Sequence, residues 1–133
     1  MRESLKVSAV CVFDDDGRLL TVRKAGTTKF MHPGGKPEPG ESAAQAAVRE
    51  LREEVGIELA VEDLVLLGVW HGEAANEAAT DIEATVFTAP GAWTATPAAE
   101  IAQLRWMALD AGAGHDDLAP LLTDFVLPAL LAD

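Results

Sequence analysis

Three glutamates stand close together in the stretch Arg49-Glu50-Leu51-Arg52-Glu53-Glu54-Val55-Gly56-Ile57. On a helix, residues three and four apart share a face, so Glu50, Glu53 and Glu54 are expected to crowd their carboxylates along one side. Like charges this close repel and cost helix stability, so something positive must offset them. Oxygen-only ligands on a rigid helix suit a hard divalent cation, Mg²⁺ or Mn²⁺. Such an ion bridges phosphate oxygens and an attacking water, and stabilises charge as a bond to phosphorus breaks. The plainer alternative is a solvated acidic helix face with Arg49 and Arg52 as ion-pair partners.

The surrounding residues must position that face. Pro33-Gly34-Gly35-Lys36-Pro37-Glu38-Pro39-Gly40 is a dense block of turn formers. A helix is predicted to follow, capped by Ser42, built on Ala43, Ala44, Ala46, Ala47 and Leu51, and ended by Gly56. Gly34 and Gly35 open backbone conformations closed to other residues and let the loop pass tightly beside the helix. Glu41 precedes Arg49 and Glu50 by about two helical turns, on a similar face.

Read in full, Gly35 is followed by five residues, Glu41, seven residues, and then Arg49-Glu50-Leu51-Arg52-Glu53-Glu54-Val55-Gly56-Ile57. This resembles the Nudix box position for position, in its fixed Gly, Glu and Arg residues and in its two aliphatic positions. Chance agreement over all starting points is on the order of 10⁻⁷ at this chain's own Gly, Glu and Arg frequencies and about one in four for an aliphatic. The resemblance implies an α/β fold: a Nudix α/β/α sandwich with a mixed sheet, the box loop and helix, and a C-terminal helix, in one domain over residues 1–133. It implies Glu50, Glu53 and Glu54 as metal ligands for Mg²⁺ or Mn²⁺, with Glu53 or Glu54 also open as base. It implies that Arg49 pairs with and orients a carboxylate, and that Glu41 is structural or supports the metal shell. The implied reaction is hydrolysis of a nucleoside diphosphate linked to another group. Among such enzymes the short chain looks like those that release a nucleoside monophosphate and pyrophosphate from a nucleoside triphosphate. ADP-ribose or nucleotide-sugar cleavage is the second reading. The chain has no Tyr, so the tyrosine marker of dinucleoside polyphosphate hydrolases is missing. A binding module that senses a nucleotide without cutting it commonly loses box glutamates, and none is lost here.

The rest of the chain reads as strands with a final helix. Leu5–Phe13 and Arg18–Lys24 flank Asp14-Asp15-Asp16-Gly17, a turn signal that predicts a hairpin. Leu64–Trp70, Asp81–Ala89 and Gln103–Leu109 are further predicted strands, with a loop at Gly91–Pro97. Leu118–Leu131 has apolar residues at helical spacing, and Pro128 should kink or end that helix. Strands in runs with two helices imply a layered mixed fold.

Several residues outside the box are candidates for the site. Family members often recruit a further glutamate, and Glu100 is the first choice, then Glu83, with Glu73 and Glu77 behind. Arg23 and Lys24 close the second strand, where they are candidates to neutralise substrate phosphates. The loop reads His32-Pro33-Gly34-Gly35 where relatives often have Leu-Pro-Gly-Gly. A histidine there either touches substrate or supplies a proton, or is a tolerated substitution with its ring hydrogen-bonded nearby. Trp70 and Trp106 are expected in the core, and Trp93, in a loop, is the better candidate to stack on a base.

Composition narrows the partners. The formal net charge is −12, with only ten Lys and Arg, so duplex nucleic acid is not an expected partner. Apolar residues at 49% support one real core. Cys11, the lone cysteine, sits in an apolar run and is expected to be a buried core residue rather than a thiol nucleophile. No apolar run reaches membrane-span length and the N-terminus is too polar for a signal peptide. The expectation is a cytoplasmic protein acting on a small nucleotide, with a homodimer left open.

Overall fold

The computed structural model describes residues 3–74, 78–110 and 115–132. In chain order its elements are β1 (Glu3–Val12), β2 (Leu19–Lys24), β3 (Gly34–Gly35), α1 (Ala43–Val55), β4 (Val65–Glu73), β5 (Thr80–Ala89), β6 (Ile101–Met107) and a C-terminal helix ending in α2 (Leu127–Leu131). β1 lies in the middle of a mixed sheet of order β3-β1-β5-β4. It pairs parallel with β5 from Glu3↔Thr80 to Val12↔Ala89, and antiparallel with β3. β4 pairs antiparallel with β5.

Alternation along β1 builds two cores, one on each face of the sheet. Ala9 and Cys11 pack with Ala84, Val86 and the C-terminal residues Leu121, Leu122 and Val126. Val10 and Val12 pack with Phe87, Ala89 and the helix residues Ala47, Leu51 and Val55. The expected mixed α/β sandwich is therefore present, with a helix on each face. Cys11 is fully buried, and burial pushes its thiol up to about 12, which removes it as a nucleophile at neutral pH. Among the described residues no helix is long and apolar enough to cross a membrane.

The expected β1–β2 hairpin is corrected. The turn forms as read: Asp14 Oδ1 accepts from the N–H groups of Asp16 and Arg18. The strands then part after a single bridge at Phe13↔Leu19, and β2 pairs antiparallel with β6 in a second, two-stranded sheet. The physical reason is side-chain demand. Leu19 joins the core under the C-terminal helix and Leu20 and Val22 join the core under α1, so β2 serves both layers.

Pro128 does not end the C-terminal helix. The turn over Leu122–Val126 widens, with the Leu127 N–H donating to Leu122 O five residues back, and α2 then continues regularly. A proline cannot supply the bond to the residue four before it, and the wide turn absorbs that loss.

Candidate active site

α1 is fixed at both ends by its own sequence. Ser42 Oγ accepts from the Gln45 N–H at 3.1 Å, and Gln45 Oε1 accepts from the Ser42 N–H at 2.8 Å. This reciprocal cap satisfies two otherwise free donors. At the other end Gly56 adopts φ 72°, and its N–H reaches Arg52 O. The loop before β6 completes that end: Thr96 N–H donates to Val55 O and Ala98 N–H to Glu54 O.

Glu50 and Glu54, one turn apart, stand close enough that Glu50 helps push the Glu54 carboxyl up, while one nitrogen of Arg49 bridges Glu50 and Glu53. Glu54 falls on the inward face with Ala47, Leu51 and Val55 and is buried. The Glu50 side chain is 17% exposed and that of Glu53 is 47% exposed. Part of the expected repulsion is met by Arg49. Its guanidinium donates to Glu41 at 2.8 and 3.0 Å, to Glu50 at 2.5 Å, to Glu53 at 3.2 Å and to Lys36 O at 3.1 Å. The Arg49 hydrogen bonds hold the Glu41 carboxyl down at about 2. Glu38 stands 3.3 Å from the same guanidinium.

The glycine loop closes on this cluster. Gly34 N–H donates to Glu54 Oε1 at 3.0 Å. A side chain at Gly34 would collide with the Ser8 carbonyl, and a Cβ at Gly35 would stand 2.6 Å from the Glu50 carboxyl carbon. The second oxygen of Glu54 is buried without a hydrogen-bond partner, and Lys24 Nζ is 3.9 Å from it. Burial pushes the Glu54 carboxyl up to about 8, against the lowering pull of the Gly34 N–H and Lys24. As the side chains stand, no three acidic, His or Cys groups among the described residues converge as a ready-made metal site. The donor set nevertheless fits a hard divalent cation: oxygen ligands only, one of them orphaned in the interior.

Lys24 and Glu100 meet across the ends of β2 and β6. Lys24 pairs with Ile101 in register, next to a bulge at Arg23/Lys24, and Ala25 N–H donates to Glu100 O. Lys24 Nζ reaches Glu100 Oε1 at 3.4 Å. Ala99 takes φ 51° in the turn that delivers Glu100. Such a conformation costs a non-glycine residue about 1 kcal/mol.

One cavity of about 540 Å³ collects Lys24, Gly34, Gly35, Arg49, Glu50 and Glu100 in its wall. Arg23, Glu53, Glu54 and Glu83 are not in its wall. Arg23 turns away, its guanidinium donating to Thr27 O at 2.9 Å and to Gln103 Oε1 at 3.4 Å. Glu83 is on the exposed side of β5, 3.1 Å from His71 Nε2. Glu73 does line the cavity, and Glu77 lies outside the described residues. Trp70 packs on the core under the C-terminal helix and Trp106 on the core under α1, as expected. Trp93 is not free to stack: it packs against the α1 core, and its indole N–H donates to Pro90 O and Ala89 O. His32 lines the cavity, buried, and contrary to the expectation of a nearby hydrogen bond neither ring nitrogen has a partner.

The chain is similar to several known proteins. An RNA pyrophosphohydrolase of Halorhodospira halophila is 44% identical over 59 residues, 44% of this chain and 32% of that protein. A CTP pyrophosphohydrolase of Escherichia coli is 45% identical over 60 residues, 41% of this chain and 43% of that protein. The matches thus span less than half the length of either relative. The crystal structure of a MutT protein from Methanosarcina mazei superposes with a TM-score of 0.82 over 98% of this chain and 96% of that one, at 22% identity. The likeness to that structure is one of fold. The NUDIX domain profile matches residues 3–125, which takes in both sheets, the box loop, α1 and the strand behind Glu100. An intact box inside a domain match of that extent makes the chain a member of the Nudix hydrolase family.

Proposed function

We propose that the chain hydrolyses a pyrophosphate link in a nucleoside diphosphate joined to a further group, using Mg²⁺ or Mn²⁺. The favoured substrate is a nucleoside or deoxynucleoside triphosphate, cleaved to the monophosphate and pyrophosphate. The observation that carries this reading is the Glu54 carboxylate, with one oxygen on Gly34 N–H and the other buried without a hydrogen-bond partner. Leaving a carboxylate in that state is costly unless a cation comes within reach. Lys24 at 3.9 Å is too distant to supply a hydrogen bond. The names of the two curated relatives agree on the reaction, pyrophosphohydrolysis, and differ on the substrate, RNA in one and CTP in the other.

In this reading Glu50, Glu53 and Glu54 hold the divalent ion, which when bound acidifies the attacking water and offsets charge on the phosphates. Arg49 keeps Glu50 and Glu53 oriented while leaving Glu53 half exposed. We assign proton acceptance from water to Glu53, because a partly solvated carboxylate with one long bond can turn toward its target. Glu54, buried on the Gly34 N–H, is assigned to binding. Lys24 draws the phosphate chain into the cavity, and Glu100, at 3.4 Å from Lys24, supplies the further carboxylate. Gly34 and Gly35 let the phosphates approach the loop. Arg23 has no part in it.

Incubation of the purified protein with Mg²⁺ and a panel of nucleoside triphosphates, ADP-ribose and nucleotide sugars, with products resolved by chromatography, tests the reading. Release of monophosphate and pyrophosphate from at least one triphosphate is expected. Binding of nucleotides with no phosphate product from any of them would overturn it in favour of a sensor module.

A further inference from the structure

The cavity is not uniform along its length. At one end stand Lys24, Arg49, Glu50 and Glu100. At the other its wall is mostly apolar, with Leu5 and Ile82 paired in register across β1 and β5, Val7 beside them and Leu121 from the C-terminal helix, and with Glu73 of β4, which pairs with Asp81 next to Ile82, as its one carboxylate. Its volume, about 540 Å³, is that of a small-molecule site. With a divalent ion on the carboxylates of the first end, a ligand that fills both ends carries anionic groups on one side and a flat, largely apolar body on the other.

His32 is the one polar ring in this wall. It is 4% exposed, and neither Nδ1 nor Nε2 has a hydrogen-bond partner. Two buried hydroxyls nearby are satisfied, Ser8 Oγ donating to Ala43 O at 2.7 Å and Thr21 Oγ1 to Arg105 O at 2.7 Å, whereas Glu54 Oε2 and Arg105 Nε are not. A buried polar group left unmade costs roughly 1–3 kcal/mol, so an orphan of this kind calls for a ligand or water that completes it. Its place in the chain is also fixed. Met31 is tied to Val22 by reciprocal backbone bonds, and Pro33 O accepts from Val10 N–H at 3.0 Å. Two residues on, Gly34 N–H holds Glu54. One short braced segment thus joins the apolar end to the carboxylates.

We propose that His32 is a specificity-determining residue: its imidazole completes its hydrogen bonding with the polar edge of a nucleobase seated against Val7, Ile82 and Leu121. The proposal deepens the nucleotide-hydrolase reading and rests on it for the position of the phosphates. Burial pushes the ring down to about 4, so it is neutral at pH 7 and carries one N–H donor and one lone-pair acceptor. A neutral ring enters an apolar wall without the desolvation cost of a charge, and its tautomer adapts to a donor or an acceptor on the base. A site that bonds a polar ligand group rejects analogues lacking it far more strongly than an apolar pocket does.

The test uses the intact protein and the four common nucleosides, which carry no phosphate. The chain has three histidines, so their ring ¹⁵N signals are separable by substitution of His71 and His115. At least one nucleoside should move the His32 ring nitrogens, while inorganic pyrophosphate should not. No movement with any nucleoside near its solubility limit overturns the proposal, and points to a buried water as the partner. In a second arm, His32→Leu removes both nitrogens. It should compress the ratio of kcat/KM between the best and worst of four nucleoside triphosphates by about tenfold, chiefly through KM. An equal fall for every triphosphate, with the ranking kept, is the signature of a merely structural role and overturns it. Absence of phosphate release from all substrates would sink the hydrolase reading instead, and the nucleoside titration still judges His32. That titration needs no His32 variant, so the proposal stays open to refutation even if His32→Leu fails to fold.

Discussion

Gly34 and Glu54 are joined by a hydrogen bond of 3.0 Å from the loop N–H to Oε1, while the other oxygen of Glu54 is buried without a hydrogen-bond partner. The bond ties the glycine loop to the inward face of α1. It also leaves a carboxylate in the interior that is only half satisfied. Glu54→Gln keeps an amide oxygen for Gly34 and removes the buried charge. Thermal unfolding in EDTA at pH 8 should therefore show the variant as stable as the wild type or more so, since the desolvation of this carboxylate outweighs the pull of Lys24 and the Gly34 N–H and is relieved by the substitution. Mg²⁺ should raise the wild-type Tm and leave the variant's nearly unmoved, with turnover lost. A variant that unfolds more easily in EDTA and still gains stability from Mg²⁺ would contradict the assignment.

Glu53 gives the complementary case. Its side chain is 47% exposed and bonded only to Arg49 among the described contacts, so Glu53→Gln should change stability by less than about 0.5 kcal/mol. Turnover should nevertheless fall by about 10³-fold or more, in the range of losing a positioned base or metal ligand. Near-wild-type kcat in a folded Glu53→Gln protein would remove Glu53 from both roles.

Local signals in the sequence carried the site further than the sheet. Ser42, Gly56 and the turn at Asp14 act through bonds within a few residues, and each forms as read. Strand pairing depends on distant partners: the Asp14 turn cannot say that β1 will pair with β5 and β2 with β6. Two misses had a legible cause. Arg23 and Lys24 are neighbours on a strand, and alternation sends them to opposite faces, so only one can enter the cavity. Glu54 follows Ala47 and Leu51 at helical spacing, which marks it as inward and separates it from Glu53. The orphaned ring of His32 had no such signal, because satisfaction of a buried group depends on everything packed round it.

The Glu100–Lys24 pair predicts a kinetic effect without a folding effect. Glu100 is 64% exposed and 3.4 Å from Lys24, so it holds little of the fold. Glu100→Gln should lower kcat at least about tenfold, roughly 1.4 kcal/mol of barrier. Glu83 no longer competes for this role, since it sits with His71 outside the cavity wall. An unchanged kcat would shift the role to Glu73, which does line the cavity.

Glu41 sets the acid limb of stability. Arg49 lowers its carboxyl from 4.5 to about 2 in the folded chain. A depressed folded pKa means that the unfolded chain takes up the proton first as pH falls. The stabilisation is therefore complete above about pH 4.5 and is lost progressively as pH falls through about 2. Denaturant titrations of Glu41→Gln between pH 2 and 6 should show a flatter acid limb than the wild type, with the two curves converging toward pH 2. Parallel curves would mean that another carboxylate governs the limb.

Arg49 is the residue on which these effects converge, because one guanidinium touches Glu41, Glu50, Glu53 and Lys36 O. Arg49→Lys keeps the charge and loses the planar fork that meets Glu41 through two nitrogens. An ammonium can satisfy one or two of these acceptors but cannot span all four. Stability should drop by about 1–3 kcal/mol, the range for losing hydrogen bonds to charged groups. Glu50 and Glu53 should then lose their fixed orientation, so kcat should fall more than tenfold and the Mg²⁺ concentration for half-maximal rate should rise. A loss of stability with kcat and Mg²⁺ dependence both unchanged would show that Arg49 braces the loop and helix without orienting the carboxylates.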